Sequence, residues 1–129
     1  TVFKYESEGV ATLEDGLYVL EENLKNAAFK DKMVRFVRAS MKGWKYAEQN
    51  PAEAAEIVVD NDDSGAQTVE HNTTQMGEII KLTAGSNGSL DPADYQRTVD
   101  SLMTGGSDPV ITKMPEGAWT HEITDLALK

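Results

Sequence analysis

The sequence predicts a mainly α-helical chain of about five helices with two or three short strands, which forms part of an α/β fold. Three observations predict this. Apolar residues recur at helical spacing from residue 26 onward, and helix-start signals open the helical stretches. The few β-prone segments lie mainly near the beginning of the chain.

Residues 1–25 carry most of the strand signal. "TVFKY" at 1–5 alternates apolar and polar residues, "GLYVL" at 16–20 is short and β-prone, and "VIT" at 110–112 is marginal. Two or three short strands do not make a stable free-standing sheet. We therefore interpret residues 1–25 as a strand or hinge segment with a polar loop, whose sheet partners lie outside this chain.

The first helix is predicted to begin after Asn26, because asparagine is a good helix cap. The apolar residues that follow it trace a single helical stripe, while most of the basic residues face away from that stripe. The residues of the stripe are Met33, Val34, Val37, Met41 and Trp44. This pattern is typical of an amphipathic helix with one buried side.

Asn50 and Pro51 predict that a second helix begins at once. Asn50 can cap that helix, Pro51 suits its first position, and Glu53 can complete a capping box. Ser64 and Gln67 form a similar capping-box pattern for a third helix. These local signals place two helix starts within a short stretch of chain.

Asp91 and Pro92 repeat the cap-and-proline pattern for a fourth helix, which the glycine pair at 105–106 ends. Thr120 is predicted to cap a short last helix. Residues 26–129 are therefore predicted to be a helical part, which forms a single structural unit with the N-terminal segment.

Length and charge limit the class of protein. A chain of 129 residues suits one domain that buries roughly two-thirds of its unfolded surface. There are 12 Lys and Arg residues against 22 Asp and Glu, so the formal net charge of −10 opposes phosphate backbones and anionic lipid. We expect no nucleic-acid partner. The absence of cysteine excludes disulfides and thiolate chemistry.

Motifs for catalysis or cofactor binding are missing from the sequence. His71 and His121 lack the partner spacing of a zinc-protease helix, and each is interpreted as a surface or capping residue. No nucleophile elbow, dinucleotide fingerprint or phosphate-binding loop occurs. We therefore expect no enzymatic activity and no cofactor.

The sharpest metal candidate is "DNDDSG" at residues 60–65. Four of its residues match positions 1, 3, 5 and 6 of a calcium-binding EF-hand loop: Asp60, Asp62, Ser64 and Gly65. Position 12, which needs a bidentate glutamate, is His71 instead. We interpret the stretch as an acidic connector in which Ser64 caps the next helix, and expect no metal.

The candidate ligand-binding residues lie in "ATLEDG" at residues 11–16. Thr12, Glu14 and Asp15 fall between two predicted strands, where a loop at strand ends can offer polar groups to a ligand. The alternative interpretation is a solvated acidic turn.

The stretch "RFVRASMKGWKYAEQNPAEAAEIVVDN" at residues 35–61 resembles a characteristic segment of the thiamine-pyrimidine, sulfonate and nitrate type of solute-binding proteins of bacterial ABC importers. The matching residues are Phe36, Arg38, Ala39, Gly43, Trp44, Tyr46, Ala47, Asn50, Pro51 and Ala54. "GVATLEDGLYVLEENL" and "SLDPADYQRTVDSLM" are similar to further segments of the same family. The resemblance covers most of the chain.

This resemblance implies a type II periplasmic-binding fold, in which two α/β lobes hold a small solute between them. Family members are longer, so the chain would be a fragment: the C-terminal portion, with a hinge crossing and the helices that finish the first lobe. The implied function is capture of a thiamine-precursor pyrimidine, or of a sulfonate-, taurine- or nitrate-like solute, for an ABC transporter permease. The implied location is periplasmic or extracellular, with a lipid anchor to the membrane as an option in the full-length protein.

Within the resemblance, Thr12, Glu14 and Asp15 would border the cleft. Trp44 would pack in the core of the first lobe, with stacking on the ligand as the alternative. Two other functions stay open: a pyrimidine-precursor synthase of the same fold, and a self-contained helical interaction module. A chain without its sheet partners is also expected to self-associate.

Overall fold

The structure, a computed structural model, describes residues 2–104 and 106–129 and confirms a mainly α-helical chain. It contains five α-helices: α1 (Ala27–Gln49), α2 (Pro51–Asp60), α3 (Val69–Thr83), α4 (Pro92–Thr104) and α5 (Thr124–Ala127). Two short 3-10 turns precede α1, at Tyr5–Glu8 and Glu21–Lys25.

The predicted strands do not form in the described part of the chain. Of the first one, Thr1 lies outside the described residues, and Tyr5 already begins a 3-10 turn. Residues 16–20 run without a turn or bend but pair with no other strand. Residues 110–112 bend against the end of α4, where the Ile111 N–H donates to the Leu102 carbonyl over 3.4 Å. The physical reason is pairing, because a strand needs a neighbour for its backbone hydrogen bonds.

The start of α1 agrees with the prediction. The side-chain oxygen of Asn26 accepts hydrogen bonds from the N–H groups of Ala28, over 2.9 Å, and Phe29, over 3.2 Å. These are two of the backbone donors that a helix leaves without partners in its first turn. Asn26 therefore fixes where α1 begins.

The junction of α1 and α2 differs from the prediction. Asn50 has no side-chain capping bond to α2, and its amide instead donates to the Tyr46 carbonyl over 3.0 Å. Asn50 thus closes α1 and leaves Pro51 to open α2. Glu53 does not complete a capping box, because the Asn50 N–H donates to the Tyr46 carbonyl over 2.9 Å. The interaction of the Glu53 carboxylate with the Tyr46 hydroxyl raises the pKa of that tyrosine.

The start of α3 also differs. Thr68, not Ser64, is the cap, and its hydroxyl oxygen accepts a hydrogen bond from the His71 N–H over 3.2 Å. Ser64 belongs to a turn that Asp62 organises before the helix begins. The predicted capping box at Ser64 and Gln67 therefore corresponds to a turn, and the prediction started α3 four residues too early.

Of the last two helices, α4 begins at its predicted cap, whereas α5 begins at Thr124, three residues later than a cap at Thr120 predicts. The Asp91 carboxylate accepts a hydrogen bond from the Ala93 N–H over 2.7 Å, which confirms the start of α4. The Thr120 hydroxyl accepts one from the Glu122 N–H over 3.1 Å and so stabilises the turn that leads into α5. His121 lies in this turn, and its Nε2 is 2.7 Å from the Leu90 carbonyl oxygen.

The buried core is small and made of short side chains. Ala55 is fully buried and Ala54 nearly so, in the part of α2 that packs on α3. Val99, Ile123 and Ala127 are the other buried apolar residues in the described ranges. None of the described side chains with a large volume is fully buried. The buried apolar residues in the described ranges are therefore alanine, valine and isoleucine, with no aromatic residue or methionine among them.

The chain leaves much more surface exposed than a finished domain of its size. Its solvent-accessible area is 10,095 Å², about 1.5 times the roughly 6,700 Å² expected for a compact monomer of this mass. The unfolded chain would expose about 20,000 Å², so folding removes about half of that area and not the two-thirds expected from length. Half-exposed aromatic residues such as Phe36 and Trp44 account for part of the difference.

Two side chains of α1 hold the C-terminal turn against that helix. Arg38 donates hydrogen bonds to the carbonyl oxygens of Leu126, over 3.1 Å, and Ala127, over 3.3 Å. Lys30 forms an ion pair with Glu122. Because Arg38 binds two carbonyls that α5 cannot satisfy internally, it takes the place of a C-terminal cap.

We expect the substitution Arg38→Met to lower the free energy of unfolding by about 1 kcal/mol, since it removes both hydrogen bonds at a partly exposed position. Arg35→Met is the matched control. Its ion pair with Asp31 joins side chains that are 66% and 68% exposed, so we expect a change within about 0.5 kcal/mol. Urea unfolding followed by circular dichroism measures both. Equal losses for the two variants would contradict the proposed role of Arg38.

Candidate functional site

The predicted ligand-binding residues lie on an extended, exposed segment. Thr12, Glu14 and Asp15 are all exposed, in a run from Val10 to Leu20 that contains no turn or bend. The structure thus keeps the three side chains close together along the chain and open to solvent. None of them lines the apolar groove described below or the cavity between residues 87–89 and 124–129.

A single backbone contact fixes this segment to the helices. The Leu13 N–H donates to the Thr98 hydroxyl of α4 over 2.8 Å. The same hydroxyl donates to the Asp94 carbonyl one turn earlier, over 2.9 Å. Thr98 therefore positions residues 12–15 relative to α4.

The stretch from Glu14 to Leu20 has the geometry of a strand without a partner. The Tyr18 side chain lies over Gly16, because a Cβ atom built there would be 3.1 Å from the tyrosine hydroxyl oxygen. Residues two positions apart face the same side of an extended chain, which accounts for this contact. Leu17 and Val19 face the other way, toward α1. Tyr18 is 83% exposed.

An apolar groove of about 270 Å³ lies between this segment and α1. Most of its lining is aliphatic, aromatic or methionine side chain. The principal lining residues are Leu17, Val19, Met33, Phe36, Met41 and Ile123. Gly88 completes the groove at one end, where a Cβ atom would meet the Met41 sulfur at 2.5 Å, so no larger residue fits there without displacing Met41.

The size and lining of the groove decide what it can accept. Pockets for small molecules usually measure about 300–1,000 Å³ and include a few convergent polar groups. This groove is smaller, and its polar lining consists of hydroxyl groups at its edge from Ser40, Thr120 and Thr124. It therefore suits apolar side chains of a protein segment better than a polar solute.

The acidic connector before α3 uses its carboxylate for its own backbone. Asp62 accepts hydrogen bonds from the N–H of Ser64, over 3.0 Å, and from the N–H of Gln67, over 2.8 Å. The Ser64 hydroxyl adds a third at 2.5 Å. Both carboxylate oxygens of the central EF-hand-like residue are thus occupied within the turn. Among residues 2–104 and 106–129, no group of three or more acidic, histidine or cysteine side chains could hold a metal.

These hydrogen bonds, with that from the Ser64 hydroxyl as the largest cause, lower the pKa of Asp62 below its ordinary value. A lowered pKa means that the turn is stabilised at any pH above the unfolded value and loses this stabilisation as the pH falls through the folded value. We expect an NMR titration to show the Asp62 carboxyl below the usual range, and the substitution Ser64→Ala to bring it back toward that range. An unchanged midpoint in the variant would show that the serine is not the cause.

An aromatic cluster at the N-terminal end of α4 was not predicted from the sequence. The Trp119 ring lies 6.1 Å from that of Tyr95 and 4.8 Å from that of His121, measured between ring centroids. His121, predicted to be a surface or capping residue, is partly buried here. Tyr95 is more than twenty residues away in sequence from Trp119 and His121, so no local signal could have brought it to them.

No protein-family model, curated protein or solved structure matches the chain. The function must therefore be inferred from the geometry above and from the resemblance carried by residues 35–61. In the described part of the chain, no helix combines the length and the apolar character that a membrane crossing needs.

Proposed function

We propose that the chain is the C-terminal part of the substrate-binding component of an ABC importer, with a type II periplasmic-binding fold. In this proposal α1 and α2 cover the first lobe's sheet, and residues 1–25 supply a hinge crossing and a strand of that sheet. The protein binds a small solute and has no catalytic role. Its partner is the transporter permease, and its location is periplasmic or extracellular.

One observation carries the proposal: the groove between the extended segment and α1 is lined by large apolar side chains, such as Leu17 and Phe36, that stay about half exposed, and this groove is the uncovered apolar side of the chain. The exposed area of 10,095 Å² far exceeds that of a finished domain of this mass. The unpaired extended segment lies along that uncovered side, against α1. A mainly parallel sheet covered by helices would account for both features, because such a sheet buries one face against a helix layer. The motif of residues 35–61 supports the same assignment.

The proposed ligand-facing groups are Thr12, Glu14 and Asp15. They are exposed, and the Leu13–Thr98 hydrogen bond fixes the segment that holds them. Two carboxylates at successive positions accept hydrogen bonds and favour positive charge. They suit a solute with amino or ring N–H donors, such as an aminopyrimidine, better than a sulfonate or a nitrate. Closure of the two lobes on the solute would form the surface that the permease recognises.

Calorimetry on the complete protein encoded by the gene tests this function. An aminopyrimidine, a taurine-like sulfonate and nitrate are titrated separately, and we expect one of them to bind with micromolar or tighter affinity. Failure of all three classes would contradict the proposal. The 129-residue chain by itself is expected to bind none of them tightly, because the other lobe's half of the cleft is missing.

The acidic pair is tested in the same protein. Replacing Glu14 by Gln together with Asp15 by Asn is expected to weaken aminopyrimidine binding by about 10-fold or more, since two charged acceptors are lost. Replacing Glu21 and Glu22 by Gln is the control, because it removes the same charge seven residues further along. An equal effect of both pairs would point to general electrostatics and against a direct contact.

The uncovered apolar side is also expected to make the chain self-associate when it is produced by itself. Multi-angle light scattering over a range of concentrations measures this. The net charge of −10 opposes association, so added salt should favour it by screening that charge. A stable monomer at high concentration and high salt would contradict the expectation.

A further inference from the structure

The backbone between Glu14 and Val19 is free to pair. Within the described residues, none of its N–H or C=O groups makes a hydrogen bond, and this part of the chain contains no turn or bend. The neighbouring contacts lie outside this stretch, at the Leu13 N–H and at the Leu20 carbonyl, which accepts from Asn23 over 3.0 Å. A row of exposed, unpaired backbone groups is a template for another extended segment.

The apolar groove lies directly beside this template. Leu17 and Val19 form one wall, and α1 forms the opposite wall with Met33, Phe36 and Met41. An added strand would direct alternate side chains toward α1, because side chains alternate along an extended chain. With about 270 Å³, the groove has room for small aliphatic side chains. The centre of the partner segment must therefore be apolar.

Acidic residues stand at both ends of the template. Glu14 and Asp15 precede the apolar stretch, Glu21 and Glu22 follow it as the first residues of the second 3-10 turn, and all four are exposed. Opposite charges that lie close together attract and like charges repel, both across paired strands and just beyond their ends. The ends of the partner segment must therefore be basic.

We infer that residues 14–20 form a strand acceptor for an extended peptide segment whose centre is apolar and whose two ends carry lysine or arginine. Backbone hydrogen bonds to residues 14–19 hold the segment, its inward side chains enter the groove against α1, and its basic ends meet the two acidic pairs. This use of the surface shares Glu14 and Asp15 with the proposed solute site, but it requires neither a small solute nor the permease.

Charge disfavours a second copy of the chain as the occupant. Antiparallel pairing of two copies about Tyr18 brings Glu14 and Asp15 of one copy near the 3-10 turn of the other, which begins with Glu21 and Glu22. Both ends of such a ribbon then bring carboxylates close together, which repel at neutral pH. A basic-ended segment turns the same four positions into attractive pairs. The strand acceptor is therefore expected to bind a basic-ended segment in preference to residues 14–20 of a second copy.

The strand acceptor does not depend on the proposed function, because it uses only the backbone, groove and charges of this chain. If the transport function holds, the neighbouring strand of the lobe competes for the same place in the complete protein. The test therefore uses the 129-residue chain by itself, and solute binding plays no part in it.

Fluorescence anisotropy with three labelled peptides tests the acceptor. The first peptide is Lys-Lys-Val-Thr-Val-Thr-Val-Lys-Lys, the second replaces the lysines by glutamate, and the third replaces the central valine by proline. We expect the lysine peptide to bind about 10-fold or more tightly than the glutamate peptide at low salt. The proline peptide should lose most of the binding, since proline removes a backbone donor from the pair.

A variant of the chain separates specific pairing from general attraction. Replacing Glu14, Glu21 and Glu22 by Gln and Asp15 by Asn should abolish the preference for lysine over glutamate ends. The control variant, with Glu70 and Glu78 of α3 and Asp60 and Asp63 of the connector neutralised in the same way, removes an equal charge elsewhere and should keep the preference. Circular dichroism verifies that both variants retain their helix content.

Three results would overturn the acceptor. The first is equal affinity for the lysine and glutamate peptides, and the second is undiminished binding of the proline peptide. The third is a chain that dimerises at neutral pH and low salt and thereby excludes the lysine peptide, which would make a second copy the occupant. Amide exchange supplies an independent measure, because the lysine peptide should slow exchange at residues 14–19.

Discussion

Replacing Ala55 by leucine is expected to lower the free energy of unfolding by about 1–3 kcal/mol, through overpacking. Ala55 is 0% exposed and lies on the side of α2 that packs most closely on α3. Three additional carbon atoms there must push the two helices apart. Because the net stability of a domain is only about 5–15 kcal/mol, such a loss is a large fraction of the total.

Ala52→Leu is the matched control for this experiment. Ala52 is in the first turn of the same helix and is exposed, so leucine there adds no packing strain and has a similar helix propensity. We expect its effect to stay within about 0.5 kcal/mol. Urea unfolding monitored by circular dichroism gives both values. If the Ala55→Leu variant is as stable as the Ala52→Leu variant, that result would contradict the close packing of α2 on α3 at Ala55.

Replacing Asn72 by aspartate is expected to cost about 2–3 kcal/mol at neutral pH, because it places an unpaired charge in a buried position. Asn72 is 5% exposed. Its side-chain amide donates to the Gln67 side-chain oxygen and to the Thr68 carbonyl, each over 3.0 Å. Aspartate would lose both donors and would turn a carboxylate toward two oxygen atoms.

The pH dependence of this variant identifies the cause. Protonation of the introduced carboxyl removes its charge and restores one donor, so the loss of stability should shrink as the pH falls through its raised pKa. Thr73→Asp is the control, since Thr73 is the next residue and is exposed. It should stay near wild-type stability at neutral pH. A deficit for Asn72→Asp that does not change with pH would assign the loss to packing and not to charge.

Local signals predicted the helices well. Asn26 and Asp91 are caps in the structure, as their positions before apolar, helix-forming stretches indicated. Pro51 opens α2 as predicted, because proline suits the first helical position wherever a helix starts. These features need only the residues within one or two turns, and the sequence contains them all.

Competing local partners explain two of the caps that were placed wrongly, those at Asn50 and Ser64. Asn50 can bond either to the helix behind it or to the helix ahead, and it bonds to the Tyr46 carbonyl. Ser64 is held by Asp62, which leaves Thr68 to cap α3. Each residue has the chemistry of a cap in more than one direction. The sequence pattern alone does not tell which of the possible hydrogen-bond partners such a residue will use.

The strands and the groove depend on contacts that are distant in sequence. Residues 16–20 have the predicted extended shape, but a ladder also needs a second strand, which the described residues do not supply. The exposed position of Thr12, Glu14 and Asp15 fits a solvated loop as well as a binding loop, so their role stays a prediction. The groove was missed because Leu17, Phe36 and Ile123 come from three separate parts of the chain.

The proposed function and the strand acceptor share one structural premise. Both require that the groove between α1 and the extended segment is uncovered, and that the backbone of residues 14–19 has no strand paired with it. In the proposed receptor, that neighbour belongs to the first lobe's sheet. The stability predictions for Ala55 and Asn72 do not depend on this premise, because those residues lie in the closed contact between α2 and α3.

Hydrogen–deuterium exchange at the amides of residues 14–19 tests the premise most directly, when the chain by itself is compared with the complete protein encoded by its gene. In the chain by itself we predict exchange near the rate of an unstructured peptide, because these amides have no partners. In the complete protein we predict exchange slower by about 100-fold or more, as expected for amides paired within a sheet. Equal and fast exchange in both would contradict the account.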